Sequence, residues 1–206
     1  MTLGPPTDQP KAVAERYYDY RTTFPFLERL KENYETVLSE YLALEEKDWV
    51  DWPEKEIYTE KDQWKVFPFR GLGKWFDRNG SRCPKTYEIL KSLPGIGAST
   101  FSRMGPSTVI KPHHGWADVA DAYLRCHFGL VIPVDLSGVW VEGEVRFHKA
   151  GDIIVFDDSK AHTGFNRSDG LRAILILDIE RPLWVPRGNS PQQVTGDLMD
   201  LVDAFS

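Results

Sequence analysis

From Pro25 the apolar residues Leu27, Leu30, Tyr34, Val37, Leu38, Tyr41 and Leu42 recur at three- and four-residue steps. That spacing makes one apolar face on a helix, and Pro25 suits its first turn. Between residues 46 and 98 the periodicity fades. Trp49, Trp52, Trp64 and Trp75 stand among charged residues, Pro53 and Pro68 interrupt, and only residues 85–93 read as a short helix. Pro94-Gly95-Ile96-Gly97 is a turn signal.

From Ser99 the pattern changes to short runs rich in β-branched and aromatic residues: 100–110, 123–133, 138–141, 144–147, 153–156, 161–166 and 171–179. Gly138, Gly143, Ala150-Gly151 and Asp169-Gly170 punctuate them. This many short strands in so little chain predicts a mainly β fold with flanking helices, a jelly roll or cupin-like barrel. In the tail, Leu198, Leu201, Val202 and Phe205 share a helical face, so residues 197–205 are expected to form a closing helix. The expected organisation is a single domain over 1–206. Residues 1–10, rich in Pro and Gly, form a loose arm. A mostly helical part spans 11–98, the β core spans 99–182, and a tail with a short helix spans 183–206.

Composition narrows the function. A chain of 206 residues with 41% hydrophobic content buries a full core without cross-links. The net charge of -6 argues against general nucleic-acid or membrane-surface binding. Cys83 and Cys126 form no C-x-x-C pair, which disfavours a thiolate zinc site. The first residues contain no apolar leader and no run is long enough for a membrane span, so the expected location is cytoplasmic.

All five histidines follow residue 112: His113, His114, His127, His148 and His162. His113 and His162 each follow a predicted strand, and a jelly roll can bring such positions to one mouth. Two imidazoles suit a borderline divalent metal such as iron(II). Oxygenases of this kind usually add a carboxylate two residues after the first histidine, and here that position is Gly115. Asp118 and Asp121 are the nearby acids, at other spacings. His114 and His148 are read as ordinary hydrogen-bonded histidines. Arg172 opens an otherwise apolar strand, and a cation there is expensive unless an anion pairs with it. A bound dicarboxylate is such an anion. Arg125 and His127 share one strand face, with Leu124, Cys126 and Phe128 on the other. They either line a site or are satisfied by salt bridges.

These residues also fall into recognisable blocks. Phe156-Asp157-Asp158-Ser159 with His162, Pro112-His113-His114-Gly115, and Arg125-Cys126-His127 followed by Gly129-Leu130-Val131-Ile132-Pro133 together resemble the aspartyl/asparaginyl β-hydroxylase family. The resemblance covers roughly residues 80–182. It implies a double-stranded β-helix that uses iron(II), 2-oxoglutarate and O2. It places iron on His113 and His162, the far carboxylate of 2-oxoglutarate on Arg172 and Ser102, and its metal-binding end near Arg125 and His127. The implied reaction couples oxidative decarboxylation of 2-oxoglutarate to hydroxylation of an aspartyl- or asparaginyl-type substrate, as a peptide residue or a free amino acid. The alternatives are another small molecule or a lipid acyl chain as substrate, a cupin isomerase, or a non-catalytic cupin-like binding module. The chain departs from the pattern at Thr100 and Tyr123, where peptide-hydroxylating members carry basic residues, and in a short insertion within 116–123.

Overall fold

The computed structural model describes residues 14–59 and 63–205, so the arm expected at 1–10 lies outside the described residues. Its strands are β1 (Tyr17–Tyr18), β2 (Val50–Asp51), β3 (Trp64–Gly71), β4 (Lys74–Trp75), β5 (Ile96–Met104), β6 (Thr108–Val109), β7 (Tyr123–Val131), β8 (Ser137–Val141), β9 (Glu144–Phe147), β10 (Ile153–Phe156), β11 (His162–Asn166) and β12 (Arg172–Glu180). The main sheet runs β1-β10-β7-β12-β5-β3-β2, with β4 paired to β3. The smaller sheet runs β6-β11-β8-β9. All pairings between these strands are antiparallel. The fold is therefore mainly β, two facing antiparallel sheets in the jelly-roll arrangement, as expected.

Strand register sorts the main sheet into two faces, because alternate residues point to opposite sides. On one face Leu175 stands between Phe101 and Phe128, and Phe67 pairs with Phe101. These residues belong to the principal apolar core. The helices supply the other half of that core. They are α1 (Tyr20–Thr23), α2 (Glu28–Glu32), α3 (Tyr34–Leu42), α4 (Asp77–Arg82) and α5 (Pro84–Ser92). Leu30, Val37, Tyr41 and Leu90 from these helices pack into it. The carboxylate of Glu40, on α3, accepts from the backbone N–H of Lys85 and Thr86 at 2.9 and 2.7 Å. It thereby caps α5, whose first turn opens on Pro84.

The other face looks inward at the smaller sheet. Val139 and Val141 of β8 pack on Phe156 of β10 there, and Ile110 packs with Met104 and Trp64. Two further helices, α6 (Ala117–Ala120) and α7 (Gly196–Ala204), flank the opening.

Several expectations need correction. The helix expected to run on from Pro25 is broken into a 3-10 turn, α2 and α3, with Asn33 off helical geometry at φ -109° and ψ 19°. Leu42, expected on its apolar face, is 64% exposed. The strand expected over 100–110 is β5 and β6 in different sheets, separated by a turn in which Ser107 has positive φ. Residues 46–98 are not merely irregular and helical: β3 pairs along β5 and belongs to the main sheet. Its residues Trp64, Val66, Phe67 and Phe69 are buried on both faces, which removes the alternation that marks a half-exposed strand.

Candidate active site

His113 and His162 face each other across an isolated antiparallel bridge. Each donates its backbone N–H to the other's carbonyl, at 3.0 and 2.9 Å. Opposed residues of such a pair project to the same side, and the two rings lie with centroids 4.2 Å apart. Nδ1 of His113 lies 2.9 Å from the carbonyl of Lys111, and Nδ1 of His162 lies 2.9 Å from that of Lys160. A carbonyl only accepts, so both rings carry the proton on Nδ1 and turn Nε2 into the site. Burial, and then the neighbouring His162, pushes His113 down to about 3, which keeps it neutral.

Nε2 of His162 lies 3.1 Å from Oδ1 of Asp158. That carboxylate also pairs with Nη1 of Arg125 at 2.8 Å. Arg125 grips Asp178 with Nε and Nη2 at 2.8 and 3.0 Å. Desolvation opposes ionisation of both acids. For Asp158 the neighbouring Arg125 cation wins and holds it well below the usual range; for Asp178 desolvation wins and raises it. Arg125 is thus salt-bridged and at the same time reaches the wall of the adjoining cavity, so the salt-bridge reading does not exclude the other.

Gly115 explains itself in this geometry. A Cβ there would meet Oδ2 of Asp158 at 1.9 Å. The room a side chain at 115 would need is filled by a carboxylate delivered from the β10–β11 turn. Among the described residues, no three His, Cys, Asp or Glu side chains are grouped as a ready metal cage. Asp118 lies on the wall of the adjoining cavity, and Asp121 accepts from the backbone N–H of Ser190 at 2.8 Å.

The arginine at the start of β12 is the other half of the site. Register puts Arg172 opposite Met104, and Ile174 opposite Ser102, on the inward face. Arg172 is 2% exposed, its Nε has no hydrogen-bond partner, and no carboxylate among the described residues pairs with it. Burial alone pushes it down to about 9, still charged at neutral pH. Nη2 lies 3.8 Å from where a Cβ of Gly164 would sit. Gly164 shares a face of β11 with His162, so a glycine there leaves space between the guanidinium and the histidine pair. Ser102 is fully buried, and its hydroxyl accepts from Nε1 of Trp64 at 3.0 Å. His127 projects inward from β7, with Nδ1 3.1 Å from Nε2 of His148. Burial and then the neighbouring His148 push His127 down; burial and then Arg172 do the same to His148.

A cavity of about 470 Å³ opens beside these residues. His113, Arg125 and Asp178 reach its wall; Ser102, His127, His162 and Arg172 do not. Trp64, Thr100, Tyr123 and Ile176 line it from the main sheet, and Leu198, Val202 and Phe205 close it from the C-terminal helix and its end. Arg70 also lines it, stacked 4.9 Å over the ring of Trp75, with no carboxylate partner among the described residues.

The sequence reading missed Asp158, Asp178 and the place of His148. Asp178 was findable: it is an acid set between Leu177 and Ile179 in the same apolar strand as Arg172, at the same parity. Asp158 lay inside a quoted block, but its neighbour Asp157 bonds Arg181 instead, and nothing local separates their roles.

Comparison with known proteins places the chain in a family. The family model described as aspartyl/asparaginyl beta-hydroxylase matches residues 31–182. Aspartate beta-hydroxylase domain-containing protein 2 of Rattus norvegicus is 32% identical over 76% of this chain and 48% of its own length. The ornithine lipid ester-linked acyl 2-hydroxylase of Rhizobium tropici is 31% identical over 64% of this chain and 46% of its own. The chain therefore spans about half the length of these relatives. The crystal structure of HygX from Streptomyces hygroscopicus with nickel and 2-oxoglutarate bound is similar at a TM-score of 0.48 and 12% identity, covering 74% of this chain and 80% of that one. Among the described residues no helix is long and apolar enough to cross a membrane. With the family model covering most of its length, this chain belongs to the aspartyl/asparaginyl β-hydroxylase family.

Proposed function

We propose that this chain is an iron(II)- and 2-oxoglutarate-dependent hydroxylase whose metal is held by His113 and His162. The observation that carries the reading is Arg172, a buried guanidinium without an anion, standing over Gly164 beside the histidine pair. An unpaired buried charge costs several kcal/mol, and a dicarboxylate would offset that cost with two charge-assisted hydrogen bonds. The donor set fits iron(II): two imidazoles with their Nδ1 protons held by carbonyls and their Nε2 atoms turned to one side. When bound, iron(II) with 2-oxoglutarate and O2 supplies the hydroxylating chemistry, and the protein supplies orientation and a water-poor chamber. Arg172 and Ser102 would take the far carboxylate of 2-oxoglutarate, and His127 would serve its other end. Arg125, clamped by two carboxylates, holds Asp158 against His162.

The substrate read from the sequence is an aspartyl- or asparaginyl-type group. Arg70 supports an acidic substrate, because it is the cavity-wall arginine without a carboxylate partner among the described residues. Leu198, Val202 and Phe205 favour a substrate that also carries an apolar body. A lipid acyl chain is therefore the second reading. The test is succinate formation from 2-oxoglutarate with and without iron(II), across amino acids, acidic peptides and acyl lipids. Succinate formation that requires iron and rises with one substrate class supports the reading and selects the class. No iron-dependent succinate with any of them would overturn it in favour of a binding module.

A further inference from the structure

His148 belongs to none of the blocks that identify the family, yet the fold delivers it to the centre of the site. It follows β9, and its ring is 2% exposed. The delivery depends on Gly129, which shares the inward face of β7 with His127. A Cβ on Gly129 would lie 2.1 Å from the carbonyl oxygen of Lys149. Only glycine lets the backbone after His148 cross that face. The crossing is fastened by Gly129 N–H to the Asp152 carbonyl and Gly151 N–H to the Gly129 carbonyl, at 3.0 and 2.9 Å.

The result is a close pair of imidazoles with one proton between them. Nδ1 of His127 lies 3.1 Å from Nε2 of His148. Nδ1 of His148 is buried and has no hydrogen-bond partner. Both rings are neutral, so one nitrogen of the facing pair donates and the other accepts. If His127 donated, His148 would bury an unpartnered N–H near the Arg172 cation. If His148 donates, the unpartnered atom is a bare lone pair, which that cation favours. Orphaned buried acceptors are also tolerated better than orphaned donors.

We propose that His148 is a positioning residue: its Nε2–H donates to Nδ1 of His127 and so fixes the remaining proton of His127 on Nε2, as a donor to a bound 2-oxo dicarboxylate. The ligand in this statement rests on the proposed hydroxylase function; the proton placement does not. His127 Nε2 makes no hydrogen bond to any described residue, which leaves it free to serve a ligand.

Two measurements test this. Nitrogen-15 spectra of the metal-free protein read the tautomer directly, without cosubstrate. The expected result is an unprotonated Nδ1 and a protonated Nε2 on His127; a proton on Nδ1 would overturn the proposal. The second measurement is 2-oxoglutarate affinity of the manganese(II)-loaded parent, His148→Gln and His148→Leu. Glutamine keeps an N–H donor and should bind within about threefold of the parent. Leucine removes the donor and should bind about tenfold more weakly, the effect of one hydrogen bond to a charged group. A purely structural role would weaken both variants alike, or neither, and either pattern refutes the assignment. A parent that does not bind 2-oxoglutarate defeats the proposed function, while the spectra still decide the role of His148.

Discussion

The two faces of the main sheet are made by the same strands at alternate positions, and they obey opposite rules. On the outward face Phe67, Phe101, Phe128 and Leu175 belong to the apolar core shared with the helices. On the inward face Arg172, His127 and Asp178 are buried too, with Arg125 half-buried among them, but these are ionic or polar. The outward face stabilises by excluding water. The inward face spends stability on buried charges, of which Arg125 and Asp178 offset each other and Arg172 has no carboxylate partner among the described residues. A two-residue period therefore separates the fold's foundation from its chemistry.

The comparison breaks first at the histidine pair. His113→Ala or His162→Ala should abolish iron(II) binding and turnover, read by metal titration and succinate formation. Near-full activity of either variant at limiting iron would remove them as ligands. Next is the outward face: Phe101→Ala should cost about 3–5 kcal/mol in urea denaturation, from lost burial and the cavity left behind. Its 2-oxoglutarate affinity should stay at the parent value. Arg172→Ala should behave in the opposite way. Losing a charge-assisted clamp should weaken 2-oxoglutarate binding by about 3 kcal/mol, roughly a hundredfold. Stability should hold or rise, because an unpaired buried cation is removed.

The smallest effect is a slope with pH. Burial keeps His127 and His148 well below their ordinary value in the folded chain. The unfolded chain takes up those protons near pH 6.5, and the folded chain does not. Their contribution is present above about pH 6.5 and is lost as pH falls, by up to about 1.4 kcal/mol per pH unit for each ring. Urea midpoints between about pH 5 and 6.5 should show this, and His148→Gln should remove one ring's share. An unchanged slope in that variant would mean His148 is protonated in the folded chain.

The sequence carried the inward face well where one strand stated both faces. Arg125 and His127 against Leu124, Cys126 and Phe128 is such a case, and the structure keeps that division. Arg172 was legible because an arginine in an apolar strand requires an explanation. The strand β3 was not, since Pro68 and two buried faces erase its period. Asp158 was not legible because its place depends on a turn that brings β10 and β11 against Gly115. A rule that looks only two residues beyond His113 finds the absence there and not the carboxylate that fills it. His148 was invisible for a related reason: its position follows from a glycine on another strand.

Glu54 ties together three stretches of chain that are far apart in sequence. Its carboxylate accepts from Nε1 of Trp52 at 3.2 Å, Nε1 of Trp116 at 3.3 Å and the hydroxyl of Thr195 at 3.0 Å. Thr195 in turn caps the helix that closes the cavity. The three donors share one carboxylate, so a displacement of Glu54 releases all three at once. The cavity wall should then breathe as one cooperative unit, and the clock for that motion is already in the molecule. In heavy water the indole protons of Trp52 and Trp116 should exchange with a common rate, and a ligand filling the cavity should slow both by the same factor.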